Sequence, residues 1–220
     1  MKIYSSFEYN EFVPALGYKG EIIKNYFYNY KNLLCDSTID LKNGKVIDHD
    51  NQPVEEWIVH LIDTGKDTQT GGRIKRGMEF ARNERVMATY GDGLADVNIK
   101  ELVKFHKSHG KLATLTAVRP PSRFGDLELN ENSNVVDFKE KYQVGKGWIN
   151  GGFFVLDPEV KDYIDSDDTP FERSPLETLS KEGQLMAYKH DGFWQPMDVI
   201  REKELLETLW ESGKAPWKVW

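Results

Sequence analysis

From residue 57 onward, short apolar runs alternate with stretches whose apolar residues recur every three or four positions. The runs read as strands and the spaced stretches as helices, because a buried strand presents a continuous apolar segment and a surface helix only a stripe. Strands are expected at 57–62, 86–89, 112–118, 148–156 and 186–189. Helices are expected after Gly71-Gly72, with Ile74, Met78 and Phe80 inward, then after Asn98, at 176–181 and at about 201–212. Asn98 with Glu101 three residues on has the form of a capping box, and Gly110 is a helix stop. Asp157-Pro158 opens a short helix.

The first quarter of the chain is less regular. Residues 1–9 read as the end of a helix. Residues 11–16 read as a short buried strand in which Pro14 is a poor ladder member. Gly17 to Gly20 turns into a helix with Ile22, Ile23, Tyr26 and Phe27 at helical spacing. Two β-like runs, about 33–42 and 45–49, meet at the hairpin signal Asn43-Gly44. A second hairpin joins 127–129 to 135–139. The alternation predicts an α/β fold in one domain over 1–220, with a mixed, mostly parallel sheet flanked by helices.

Composition narrows the function. Lys and Arg number 29 against 36 Asp and Glu, a formal charge of −7, so a nucleic-acid backbone is not an expected partner. The single cysteine, Cys35, allows no internal disulfide. No apolar run approaches the ~18 residues that a membrane span needs, and the start of the chain has no signal-peptide core. A soluble, cytoplasmic protein with no membrane partner is expected.

Several residues then stand out chemically. In "TYGDGLADVN", Asp92 sits between two glycines where a strand ends. It is either a turn residue or a metal ligand at the carboxyl end of a strand, where α/β sheets bind ligands. Asp198, in "GFWQPMDVIR", has apolar neighbours and is expected to approach the interior, either as a helix N-cap or as a paired or metal-bound carboxylate. The two aspartates together suit Mg²⁺, which takes one or two protein carboxylates and completes its shell with phosphate oxygens and water. Glu140-Lys141 offers an acceptor beside a cation, suited to a sugar hydroxyl and a sugar phosphate, or is an exposed strand end. Gly151-Gly152 is a bulge or a close approach of ligand to backbone, and Gly125 in "RFG" offers a backbone N–H in the same way. "TQTGGR" places two glycines and Arg73 at a helix start, where N–H groups favour anions or a base edge, or it is a flexible loop. The five histidines lack zinc-type spacing, and no nucleophile-elbow pattern surrounds a serine.

In combination these segments become specific. "GYKG", "VHLIDTG", "TGGRIKR", "TYGDGLADVNI", "FHKSHGKLATLTAV", "RFGDLEL", "EK" before "WINGGFFVL", "DGFWQPMDVIRE" and "SGKAPWKVW" follow in order over nearly the whole chain. The sequence resembles the sugar nucleotidylyltransferases, a Rossmann-like, glycosyltransferase-A-type class, and within them the glucose-1-phosphate cytidylyltransferases. The resemblance implies transfer of a cytidylyl group from CTP to α-D-glucose 1-phosphate, giving CDP-glucose for dideoxysugar and surface-polysaccharide synthesis. It implies Asp92 and Asp198 as Mg²⁺ carboxylates and Lys141 as the sugar-phosphate lysine. Glu140, Gly125, Asn150 and Gly151 would contact the sugar, while Thr70, Gly72 and Arg73 would face the nucleotide. A homo-oligomer is implied as well.

The family opens with a strand and a loop of the type G-G-x-G-T-R, and that run does not occur in this sequence. An N-terminally truncated domain lacking its first strand is therefore expected. The alternative function is a catalytically impaired remnant that serves only sugar-phosphate binding or subunit assembly. Pro14, and Tyr142 in place of a proline after Glu-Lys, are two further departures.

Overall fold

The computed structural model describes residues 1–49, 55–82, 84–120, 126–139 and 147–220. In chain order the elements begin with helix α1 (Lys2–Ser5), strands β1 (Glu11–Phe12) and β2 (Ala15–Leu16), and helices α2 (Gly20–Tyr28) and α3 (Tyr30–Leu34). Strands β3 (Ser37–Asp40), β4 (Lys45–Asp48), β5 (Ile58–Val59) and β6 (Ile62–Asp63) follow, then helix α4 (Thr70–Phe80). Next come β7 (Val86–Thr89), β8 (Gly93–Ala95), α5 (Ile99–His109), β9 (Ala113–Val118), β10 (Asp126–Leu129), β11 (Val135–Lys139) and β12 (Ile149–Leu156). A 3₁₀ turn (Pro158–Tyr163), α6 (Ser174–Lys181), β13 (Leu185–His190), β14 (Trp194–Pro196) and α7 (Ile200–Glu211) complete the chain. No helix among the described residues is long and apolar enough to cross a membrane.

The α/β arrangement with a mixed sheet is present. Its largest sheet has the order β13-β9-β12-β7. β13 runs parallel to β9, whereas β12 is antiparallel to both of its neighbours. Two further parallel pairs, β1 with β5 and β2 with β6, lie near the N-terminus. Strand β12 explains why the sheet is buried on both faces. Phe153 and Val155 point into one core with Val97, Ile99, Leu102 and Trp217, while Phe154 and Leu156 point into another with Met78, Ile164, Phe171 and Leu179. A strand covered on both sides reads as an unbroken apolar run, as this one does.

Local signals account for several element ends. The Asn98 carboxamide accepts the Glu101 N–H at 3.1 Å, and Gly110 closes α5 at φ 62°. Asn43-Gly44 does terminate a hairpin turn between β3 and β4, with the Asp40 carboxylate accepting the N–H groups of Lys42 and Asn43.

Four expectations need correction. The strand at 11–16 is two short pieces split at Val13-Pro14, since proline has no N–H to give to a ladder. The strand at 57–62 is likewise split at His60-Leu61. Leu33 and Leu34 close helix α3 instead of starting a strand. Phe80 is not inward: it lies 44% exposed at the end of α4 and packs on the His60 ring.

Candidate active site

A short ribbon positions the two aspartates. After β7 the chain turns through Tyr90-Gly91-Asp92 and enters β8, which pairs antiparallel with β14 so that Gly93 faces Pro196. The pairing extends one step further, as the Met197 N–H donates to the Asp92 carbonyl oxygen at 2.8 Å. Asp92 and Asp198 therefore flank the same open end of the ribbon, although nearly half the chain separates them. Both residues are exposed, which corrects the expectation that Asp198 approaches the interior. Nor is Asp198 the N-cap of α7. Val199 holds that place, and the buried Glu202 reaches back to accept the Asp198 N–H at 2.8 Å.

The glycine bulge of β12 lies against this turn. The register of β12 on β9 shifts between Asn150 and Phe154. There the Asn150 carboxamide accepts the Gly152 N–H at 2.9 Å, and the Gly152 carbonyl accepts the Tyr90 N–H at 3.1 Å. Gly152 has φ 76°, and a Cβ on it would stand 2.6 Å from the Tyr90 ring, so glycine is required twice over. Beside it, the Gly151 carbonyl accepts the Trp194 indole N–H at 2.9 Å, and a Cβ on Gly151 would meet Val118. The pair is thus a bulge whose side-chain space is filled by Tyr90 and Val118.

The start of α4 joins the same neighbourhood from the other side. The Thr70 hydroxyl donates to Glu172 at 2.7 Å and accepts the Phe171 N–H at 2.8 Å, and the Tyr90 hydroxyl donates to the same Glu172. Burial, reinforced by the hydrogen bond to Glu172 and its charge, holds the Tyr90 phenol well above its ordinary pKa. The glycines behind Thr70 do not present a free helix end. The N–H groups of Gln69 and Gly71 donate to the carbonyls of Asp167 and Thr169, and both Gly71 and Gly72 are buried against that loop. The expected outward-pointing anion site at Gly72 is therefore corrected: its glycines allow close packing against 166–171.

Arg73 belongs to a second group. Its Nη1 donates to the buried Thr64 hydroxyl at 2.7 Å and its Nη2 to the Lys66 carbonyl at 3.3 Å, while the guanidinium lies over Gly17. It stands at the carboxyl ends of the parallel strands β2 and β6, where an α/β sheet offers ligand space. Gly125, Glu140 and Lys141, with Tyr142, lie outside the described residues.

The structure thus brings together Asp92, Asp198, Asn150, Gly151 and Thr70, and sets Arg73 with Gly17 and Thr64. Sequence reasoning missed Tyr90, Glu172, Trp194 and Thr64. Tyr90, Trp194 and Thr64 carried a signal, each lying within a segment already quoted, whereas Glu172 in "FERSP" carried none.

Two exposed carboxylates, a glycine bulge and a hydroxyl-bearing helix start thus lie together on this α/β sheet, and comparison with known proteins specifies the family. The profile of the nucleotidyl transferase family matches residues 47–200. The glucose-1-phosphate cytidylyltransferase of Salmonella typhi is 50% identical over 221 aligned positions, which span all of this chain and 85% of its own length. A probable glucose-1-phosphate cytidylyltransferase of Bacillus subtilis (strain 168) is 42% identical with the same coverage. Among solved structures, HddC from Yersinia pseudotuberculosis superposes with a TM-score of 0.63 at 19% identity, covering 93% of this chain and 80% of HddC, a likeness of fold. The chain belongs to the nucleotidyl transferase family, among the glucose-1-phosphate cytidylyltransferases.

Proposed function

We propose that this protein transfers a cytidylyl group from CTP to α-D-glucose 1-phosphate, releasing pyrophosphate and forming CDP-glucose. The observation that carries the reading is the ribbon of β8 and β14, which sets Asp92 and Asp198 at one open end beside the Asn150–Gly152 bulge. The substrates are those in the names of its relatives, the glucose-1-phosphate cytidylyltransferases.

In this reaction an oxygen of the sugar phosphate forms a bond to the α-phosphorus of CTP, and the bond from that phosphorus to the departing pyrophosphate breaks. No covalent enzyme intermediate is required, so the protein contributes positioning and charge neutralisation. Asp92 and Asp198 would hold Mg²⁺. Two exposed carboxylates on adjoining strand ends fit that ion, and no set of three His, Cys, Asp or Glu side chains forms a fuller cage among the described residues. When bound, the ion would offset the negative charge of the phosphates. Asn150 and Gly151 would border the sugar, with Gly125, Glu140 and Lys141 supplied from outside the described residues. Thr70 would shape the nucleotide side, and Arg73 would offer the triphosphate a cation.

Pyrophosphate release from CTP and glucose 1-phosphate with Mg²⁺ tests the reading. Asp92→Ala and Asp198→Ala should each lower kcat/KM by about 10²-fold or more. A wild-type rate equal to that of Asp92→Ala would reject it in favour of a sugar-phosphate-binding remnant.

We also propose a cytoplasmic homo-oligomer. Supporting it, exposed apolar side chains concentrate between Tyr18 and Ile47, among them Leu33, Ile39 and Leu41. Sedimentation velocity showing a monomer across micromolar concentrations would refute the assembly.

A further inference from the structure

Glu172 occupies an unusual place for a surface carboxylate. One of its oxygens, Oε1, accepts the Tyr90 hydroxyl proton, and the other, Oε2, accepts that of Thr70. Tyr90 lies two residues before Asp92, and its ring covers Gly152 and meets Phe154 edge-on. Thr70 is the first residue of α4 and is fixed from its other side by the Phe171 N–H. A carboxylate can only accept, so one Glu172 side chain directs two hydroxyl protons arriving from separate parts of the chain, the turn after β7 and the start of α4. Hydrogen bonds to an ionised acceptor are stronger than neutral ones.

We propose that Glu172 is a positioning residue that ties the Asp92 turn to the start of α4, so that the carboxylate end and the nucleotide end of the cleft are held in one relative placement. The proposal rests on the site reading above. Glu172 acts through Tyr90 on the metal side and through Thr70 on the nucleotide side. Each hydroxyl should lose its influence once Glu172 is removed.

Amide hydrogen exchange on the unliganded full chain tests this without requiring turnover. Glu172→Ala should speed exchange about tenfold in two separate segments, 69–73 and 90–94. A rise confined to 169–174 would overturn the coupling. In kinetics, Tyr90→Phe should raise the Mg²⁺ concentration for half-activity about tenfold, and Thr70→Val the KM for CTP by a similar factor, with kcat less affected. In the Glu172→Ala background neither substitution should add anything further. Full additivity would show that the hydroxyls act independently of Glu172 and would overturn the proposal. Glu172→Gln, which keeps the shape and loses the charge, should recover part of the exchange protection; no recovery would count against the paired hydrogen bonds. An inactive wild-type chain that still shows the two-segment exchange response would sink the cytidylyl-transfer reading while leaving the positioning role intact.

Discussion

The segment from Tyr18 to Ile47 and the sheet of β7, β9, β12 and β13 are both well supplied with apolar residues, yet they end in opposite surroundings. In the sheet, Phe154 and Leu156 are fully buried, with a helix layer on each face. In the segment, Ile22, Tyr26 and Ile39 stay more than half exposed, and Leu41 is 90% exposed. Among the described residues, the rings of helix α2 form a small cluster, Tyr26 and Phe27 with Tyr30, which reaches Trp57. β3 pairs with β4 alone among the described residues, and a lone two-stranded ribbon is marginal in water. Periodicity specifies which element forms, and burial depends on whether another layer lies across it. In the sheet that layer comes from distant parts of the same chain.

The sharpest way to break this contrast is to remove side chains from the sheet. Phe154→Ala should cost about 3–5 kcal/mol in urea unfolding, because it empties a site packed by Phe171 and Tyr90. A loss below about 1 kcal/mol would mean the second core is loosely filled. Gly152→Ala should cost less, about 1–3 kcal/mol, through strain at positive φ and collision with Tyr90. It should also lower activity, since Tyr90 leads into the Asp92 turn.

A pH series sharpens the contrast through His106. This side chain is buried on α5, with Nδ1 2.9 Å from the Thr114 hydroxyl and Nε2 3.4 Å from Asp157. The same hydroxyl lies 2.7 Å from His109, and Arg85 bonds Asp157 at 2.5 Å. Burial lowers the His106 pKa, and the Asp157 charge only partly opposes it. The folded state then binds fewer protons than the unfolded chain at pH values just below the unfolded value of about 6.5. The stability this contributes is fully present above that value and is lost as pH falls through the window beneath it. The urea midpoint should drop between about pH 7 and pH 5, and less steeply in His106→Asn. Equal slopes would assign the titration elsewhere. The smallest effect is expected for Leu41→Ser, within about 0.5 kcal/mol in dilute protein. A larger loss would show that the hairpin has a packing partner.

Much of the sheet was legible because its signals are local. The apolar run in β12, the Asn98 cap and the Gly110 stop each act within a few residues. The breaks at Pro14 and at His60-Leu61 differ in this respect. Proline announces the first, whereas the second follows from how β5 and β6 align on β1 and β2, which no window of sequence contains. The site divides in the same way. Asp92 was readable from the turn that bears it. The ribbon of β8 and β14, three residues a side, was not, because each strand is too short to show alternation and its partner lies far along the chain. Gly72 shows the opposite error: a glycine pair at a helix start suggested an open anion site, and the structure uses it to seat the 166–171 loop. Glu172 left no trace, since an isolated surface glutamate looks like any other.

The ribbon also bears on how the molecule is made. Asp92 emerges from the ribosome long before β14 exists, and the Met197 N–H that meets its carbonyl follows directly on β14. A nascent polypeptide can assemble β7, β9 and β12 early, but its aspartate pair stays unmatched until translation has passed β14. Any product released before that stage would lack the paired aspartates and also Leu206 and Trp217 of the first core, so site and core are completed by the same late segment.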